Sequence, residues 1–211
     1  MQLFGVTMIE FFLKGGIFMY PILACSITAL AIFLERCWSL RRSSVVPKRF
    51  VQEIESLISR GDISLAVARC RSNKSSIASI LSVGIENFGK TREVIKEYVE
   101  EVGRQKSAAL ERFVETLGTI PGVSTLLGLL GTISGMIKIF SVISSQTTVN
   151  PSSLAGGIAE ALITTFFGLS VAIPSLIMYR FLLSRINALV LEMERSSIRL
   201  VDLVKAEERG A

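Results

Sequence analysis

Among the polar side chains inside the long apolar stretches of this sequence, four are candidates for chemistry there. Thr132 and Lys138 lie in the second of three such stretches, and Glu160 and Thr165 lie in the third. An ionisable group in hydrocarbon costs on the order of 3 kcal/mol or more unless it faces protein or water. A hydroxyl donates and accepts at once, so a set of hydroxyls can hold water or bind a carboxylate without a fixed charge. These residues predict a polar lining within a membrane.

The depth of the four side chains can be counted from the short loop between the second and third stretches. Lys138 and Glu160 are each ~9 Å below the loop edge at 1.5 Å per residue. Thr132 and Thr165 are both ~17 Å below it, near the bilayer midplane. The two ions can pair, serve separate partners or snorkel to the interface with no transport role. The two hydroxyls can form a lining or bond back to carbonyls of their own helices.

Small residues recur at intervals of three and four in both stretches, so they share one face of each predicted helix. Lipid tails provide no hydrophobic drive between helices, and small residues promote association by letting backbones approach. The alternative is that these residues are merely common in membranes. We expect a helix-packing face formed by Ser124, Gly128, Gly131 and Gly135 in the second stretch and by Gly157, Ala161 and Gly168 in the third.

No Asp, His or second Glu lies near the midplane of either stretch. The chain therefore lacks a complete proton relay of its own. If protons cross here, another subunit must supply the group that titrates.

The elements that position these residues follow from composition. Half of the 211 residues are apolar, mean hydropathy is +0.53, and three clustered stretches approach or exceed the ~20 residues that a bilayer span needs. We predict an all-α polytopic membrane protein with three transmembrane helices, two of them extended into a cytoplasmic helical bundle. The expected segments are a periplasmic amphipathic segment (1–15), transmembrane helix 1 (16–35), a cytoplasmic helical loop and stalk (36–116), transmembrane helix 2 (117–143), a periplasmic loop (144–153), transmembrane helix 3 (154–183) and a cytoplasmic C-terminal helix (184–211).

The net charge is +5, and the distribution of this charge along the chain indicates membrane topology rather than nucleic-acid binding. Between Arg36 and Arg112 there are 15 Lys or Arg against nine Asp or Glu, and six more basic residues follow Tyr179, whereas the loop 144–153 has no charge. Positive charge marks the cytoplasmic side, so we expect a periplasmic N-terminus and a cytoplasmic C-terminus. The segment before the first apolar stretch lacks a cluster of basic residues, and positive charges follow the stretch, which favours a retained anchor over a signal peptide.

The remaining signals concern the predicted cytoplasmic loop and the cysteines. Pro47 is expected to open a helix that Gly61 closes, and Asp62 to cap the next. Further helices are predicted over 75–88 and from Thr91 without a break into the second stretch. The three cysteines show no C-x-x-C spacing and the chain has no His, which excludes a disulfide or metal framework and leaves the thiols as packing residues.

Three segments together resemble a known family. LLGLLGTISGM (126–136) and GIAEALITTFFGLSVAIPSLIMYR (157–180) are similar to the signature helices of the MotA/TolQ/ExbB proton channel family, and YPILACSITALAIFLER (20–36) resembles its first span. Three spans and about 210 residues are typical of the ExbB/TolQ branch, since the flagellar stator branch usually has four spans and a larger loop.

The resemblance implies a bacterial inner-membrane pentamer surrounding an ExbD/TolR-like dimer of single-span subunits, whose intramembrane Asp carries the proton. Energy would then pass to a TonB- or TolA-like protein, with no organic cofactor. The family's pore threonines fall on Thr132 and Thr165, and its span-three glutamate falls on Glu160. The family usually has small residues where this chain has Thr164, Phe166 and Phe167.

Helical spacing alone would pair Glu160 with Thr164, and the resemblance is what favours Thr165 as the pore residue. The leading functional hypothesis is thus a proton-channel scaffold for a motor that uses proton motive force. A structural organiser that builds a ring without conducting is the alternative from another class, and a channel that conducts alone is a third. The consumer of the energy is left open among TonB-type uptake, Tol-type envelope integrity and gliding-type motility.

Overall fold

The computed structural model describes residues 15–87, 89–145 and 151–210, and within these ranges every regular element is an α-helix. This confirms the predicted all-α class. The predicted amphipathic segment over 1–15 lies, apart from Gly15, outside the described residues. The helices are α1 (Met19–Ser39), α2 (Arg42–Val45), α3 (Lys48–Ile58), α4 (Ile63–Ser72), α5 (Ser76–Glu86), α6 (Arg92–Ser145) and α7 (Pro151–Gly210).

Three helices, α1, α6 and α7, are long and apolar enough to cross a membrane. The first begins at Met19 rather than at residue 16 and has Pro21 in its first turn, where a missing N–H is least costly. The other two have 54 and 60 residues, so each continues without a break from an apolar stretch into a polar one. Pro121 and Pro174 lie inside them without ending either helix.

The chain divides into two compact units, and the first contains residues 15–34 and 114–180. It holds the apolar part of each long helix and all of the predicted site residues. Buried residues recur along α6 at Ser124 and Ile139 and along α7 at Ala161, Thr164 and Ala172. Most large apolar side chains of this unit point outward, as expected for helices surrounded by lipid or by other membrane helices.

The second unit contains residues 35–113 and 181–210. Its core is formed by aliphatic side chains from the short helices and from the polar parts of α6 and α7, among them Ile54, Ile58, Ile77, Leu81, Ile85, Ile95, Leu182, Ile186, Met193 and Val204. Gly84 of α5 has no space for a side chain, because a Cβ there would lie 2.8 Å from Leu200. Arg92 and Asp202 join the two long helices of this unit through a 2.8 Å ion pair.

The turns of the second unit follow the sequence signals in part. Gly61, at φ +78°, ends α3, and the N–H groups of Gly61 and Asp62 donate to the carbonyls of Ile58 and Leu57. The predicted cap at Asp62 is wrong, since its side chain makes no capping hydrogen bond to α4. Ser75 does cap α5, accepting from the Ala78 N–H at 3.4 Å.

Two ionisable groups of the second unit have shifted pKa values. Burial raises the pKa of the Cys70 thiol to about 12, and the nearby negative charge of Glu86 adds to this effect. The Ser82 hydroxyl, which donates to Glu86 at 2.8 Å, and the Arg71 guanidinium lower the pKa of that carboxyl. Cys70 is therefore a protonated packing residue, as its sequence context predicts.

Candidate functional site

The site is built where the backbones of α6 and α7 approach each other through glycine. A Cβ on Gly168 would lie 2.7 Å from the carbonyl oxygen of Ser124 and 3.0 Å from Cα of Gly128. A Cβ on Gly128 would in turn lie 3.2 Å from Cα of Thr165. The first distance is shorter than real Cβ atoms accept, and the other two are tighter than most real Cβ contacts, so glycine lets the helices come this close. Ser124 is fully buried at this level, and its hydroxyl has no hydrogen-bond partner among the described residues.

The same close packing continues toward the loop between α6 and α7. A Cβ on Gly135 would lie 3.2 Å from Cα of Ala161 and 3.0 Å from the carbonyl oxygen of Gly157. Ile139 covers Gly157 from α6, with its Cγ1 2.5 Å from where a Cβ would stand. The predicted packing residues therefore do meet across the helix pair, at levels three to four residues apart.

Thr132 and Thr165 face each other in the middle of this helix pair. Their hydroxyls form a hydrogen bond with one another, with either oxygen able to donate. Each hydroxyl also reaches a carbonyl of the opposite helix: Thr165 reaches Gly128 at 3.1 Å and Thr132 reaches Ala161 at 3.3 Å. Both threonines are half-buried. Counting residues from the connecting loop predicted that these two side chains lie at one depth, and in the structure they are in contact.

The hydrogen-bond inventory of this pair shows what it can do. Each hydroxyl also lies within 3.3 Å of a carbonyl of its own helix, Gly128 for Thr132 and Ala161 for Thr165. Each of the two hydroxyl protons therefore has three acceptors within reach: the Gly128 carbonyl, the Ala161 carbonyl and the other hydroxyl. Because a hydroxyl oxygen has two lone pairs, at least one of the two oxygens keeps acceptor capacity for an outside donor. The two threonine hydroxyls are therefore an uncharged polar site within an otherwise apolar interface between α6 and α7.

Lys138 and Glu160 form an ion pair, with Nζ 2.5 Å from Oε1. The two exposures differ, since 58% of the Lys138 side chain is accessible but only 21% of that of Glu160. The pair is five to six residues nearer the connecting loop than the threonines, or ~8 Å along a helix. Among the interpretations that the sequence left open, the structure shows mutual pairing.

Thr164 was not predicted as a site residue, and the structure gives it a place of its own. It is fully buried, and its hydroxyl lies within hydrogen-bond distance of two carbonyl oxygens that can share its one proton, that of Gly15 at 2.8 Å and that of Glu160 at 2.7 Å. A Cβ on Gly131 would overlap its side chain, so this glycine makes room for the threonine.

The turn before α1 is the second feature that sequence reasoning missed. Gly16, at φ +72°, lies against the Glu160 carboxylate, which occupies the space of its missing Cβ. The positive φ favours glycine, and any side chain at this position would displace the carboxylate. The adjacent pair Gly15-Gly16 was a visible signal of a tight turn, but its partner on α7 is nearly 150 residues away.

Two bulky side chains, Phe166 and Phe167, directly follow Thr165 along α7. Phe166 is 66% exposed, and Phe167 packs edge to face against it with ring centroids 5.7 Å apart. No group of His, Cys, Asp or Glu side chains that could hold a metal ion occurs in the described part of the chain.

Known proteins match the chain across this site. The sequence profile of the MotA/TolQ/ExbB proton channel family matches residues 72–195. ExbB-like 3 of Synechocystis sp. is 34% identical over 195 residues, which cover 90% of this chain and 92% of that protein. The Tol-Pal system protein TolQ of Haemophilus influenzae is 27% identical over 199 residues, covering 87% of each chain. The biopolymer transport protein ExbB of Aquifex aeolicus is 31% identical over 115 residues, covering 54% of this chain and 76% of that protein.

Proposed function

We propose that this chain, which belongs to the MotA/TolQ/ExbB proton channel family and to its ExbB/TolQ branch, is a proton-channel scaffold subunit. The assembly that it would form is a bacterial inner-membrane motor. In this proposal a homopentamer surrounds a dimer of ExbD/TolR-like single-span subunits, and proton motive force is converted into work on a TonB- or TolA-like protein. The N-terminus faces the periplasm and the C-terminus the cytoplasm. The chain performs no covalent chemistry and uses no cofactor.

The observation that carries the proposal is the contact between the hydroxyls of Thr132 and Thr165. It lies where both long helices are apolar, and it is held by backbones that glycine lets approach. A protonated carboxyl or a water molecule that reaches this pair finds an acceptor, and a carboxylate finds a donor if the hydroxyls rotate. The pair can therefore stabilise either protonation state of an acid that moves past it.

The acid itself must come from another chain in this proposal. Between residues 114 and 180 the acidic residues are Glu115 and Glu160. Glu160 is bound to Lys138 and is displaced from the threonine level by more than one helical turn. A carboxyl on the transmembrane helix of a partner would stand at the threonine level and complete the path.

The test replaces both hydroxyls at once. We expect Thr132→Ala with Thr165→Ala to abolish energy-dependent function, measured as complementation of a strain that lacks the gene, because the carboxyl of the partner loses its hydrogen-bond partners. Membrane insertion and co-purification of the single-span partner should be unchanged. Serine at both positions keeps the hydroxyls and should retain function.

Thr125→Ala is the matched control in the same helix. The hydroxyl of Thr125 donates to the Pro121 carbonyl of its own helix at 2.9 Å, so its loss should leave function intact. Normal complementation by the double alanine variant would refute the role of the threonine pair. It would favour instead a ring that organises other proteins without conducting.

A further inference from the structure

A basic cavity lies within the second unit, between one face of α7 and the segment that contains α2 and α3. Its volume is about 750 Å³, in the range of small-ligand sites. On α7 the charged side chains that line it recur at helical spacing, at Arg185, Glu192, Arg195 and Arg199. Arg42, Lys48 and Glu55 line the opposite wall.

The charges of this cavity do not balance. It has five cationic side chains and two carboxylates, which leaves a net charge of +3 (5 − 2). Each carboxylate already binds a cation inside the cavity: Glu192 pairs with Arg42, and Glu55 lies 3.3 Å from Arg199. The remaining positive charge therefore has no counterpart within the lining.

Three cations are available to an anion that enters. Arg185 donates through Nε to the Leu40 carbonyl at 3.0 Å, which orients its guanidinium and leaves the two terminal nitrogens as donors. Lys48 and Arg195 form no ion pair with any residue in the described part of the chain.

The floor of the cavity is apolar, with the buried side chains of Val46, Val51 and Leu189 beneath the charged rim. Such a site suits an anion with several oxygen atoms, because a guanidinium and an ammonium together match phosphate oxygens. We propose that this cavity binds a phosphate-bearing anion. The nearest source is a phospholipid headgroup, since Arg185 lies two residues after Leu183, where the apolar stretch ends, and basic pockets at membrane surfaces hold anionic headgroups. A soluble phosphate is the other source of the same chemistry.

The competing explanation is that these cations are ordinary solvated charges on the basic side of a membrane protein. The two explanations differ in whether the position of a cation affects how tightly the protein binds an anion. The inference is independent of the proposed proton pathway, because none of the lining residues belongs to the first unit.

The test compares two double variants with the same loss of charge. Lys48→Gln with Arg195→Gln removes two cations from the cavity, whereas Arg60→Gln with Lys74→Gln removes two exposed cations elsewhere in the second unit. The purified full-length assembly in detergent is titrated calorimetrically with short-chain phosphatidylglycerol, short-chain phosphatidylcholine and inorganic phosphate. Thermal melting and size-exclusion chromatography establish that both variants remain folded.

We expect phosphatidylglycerol to bind the wild type and the control variant equally and the cavity variant about 25-fold more weakly, at about fivefold per cation. The same pattern with inorganic phosphate would support the site and assign it to a soluble anion. Equal affinity for phosphatidylcholine, equal affinity of all three proteins, equal weakening in both variants or no binding to the wild type would each overturn the proposal.

Discussion

Gly168→Ala is the most direct test of the close approach between α6 and α7. The added Cβ would lie 2.7 Å from the Ser124 carbonyl oxygen, 3.0 Å from Cα of Gly128 and 3.3 Å from its backbone nitrogen. All three atoms belong to the backbone, so no side-chain rotation can relieve the overlap. The two helices must move apart at this level.

The size of the effect follows from these distances. An ordinary contact needs about 3.4 Å, so the helices must separate by roughly 0.7 Å at Gly168, and overpacking of this kind costs about 1–3 kcal/mol. Alanine also gains up to about 1 kcal/mol of helix propensity over glycine, which masks part of the cost. A control with the same gain and no overlap removes this ambiguity.

Gly122→Ala and Gly156→Ala are such controls, since a Cβ at either position would meet nothing within 4 Å. The melting temperature of the purified protein in detergent should be lower for Gly168→Ala than for either control. For a chain of this size the difference should be about 2–12 °C, because 1 kcal/mol corresponds to about 2–4 °C. A melting temperature of Gly168→Ala equal to that of the controls would refute the inferred packing.

Three further predictions concern other contacts. Gly131→Ala should destabilise the protein when Thr164 is present, because the new methyl group overlaps the Thr164 side chain. Combined with Thr164→Ala it should destabilise the protein much less, because the smaller side chain frees that space. A double-mutant cycle on melting temperatures measures this coupling. Neutralising Lys138 or Glu160 alone should weaken assembly, measured by chromatography in detergent, and neutralising both should partly restore it, because neither ion is then left unpaired. In the folded protein the pKa of the Cys70 thiol is about 12, so as the pH rises the thiol ionises first in the unfolded chain. Its contribution to the free energy of unfolding is therefore fully present below pH 9 and is lost as the pH rises toward 12.

Each of these predictions has a contradicting outcome. Additive effects of the two substitutions at Gly131 and Thr164 would exclude the inferred fit between them. Equal damage from all three charge variants would reject the pairing of Lys138 with Glu160. For the thiol, the unfolding free energy of the wild type should fall more steeply above pH 9 than that of Cys70→Ala, by at most about 1.4 kcal/mol per pH unit. Parallel curves would show that burial does not hold the thiol protonated.

Most of the fold could be predicted because it depends on local rules. Length and apolar clustering identify three membrane-crossing helices, and the 1.5 Å rise per residue places Thr132 and Thr165 at one depth without knowledge of their contacts. The glycine spacing identifies the face on which α6 and α7 meet. Capping was less predictable, since Asp62 has the right residue type and position but makes no capping bond.

The choice between two adjacent threonines needed the tertiary structure. Helical spacing from Glu160 favoured Thr164, and only the resemblance to known sequences favoured Thr165. In the structure the register of α7 against α6 turns Thr165 toward Thr132 and turns Thr164 toward Gly131. Register is a property of two helices together, so no count along one helix can determine it.

By itself, then, the sequence identified polar residues within apolar helices, their distance along each helix from the connecting loop and the helix faces that carry small residues, because each of these follows from composition and helical periodicity. Only the tertiary structure decided that Lys138 binds Glu160 and that Thr164 binds the Gly15 carbonyl. It likewise decided that basic residues from α2, α3 and α7 surround one cavity. These contacts join segments up to nearly 150 residues apart, and the packing of helices against each other sets such distances.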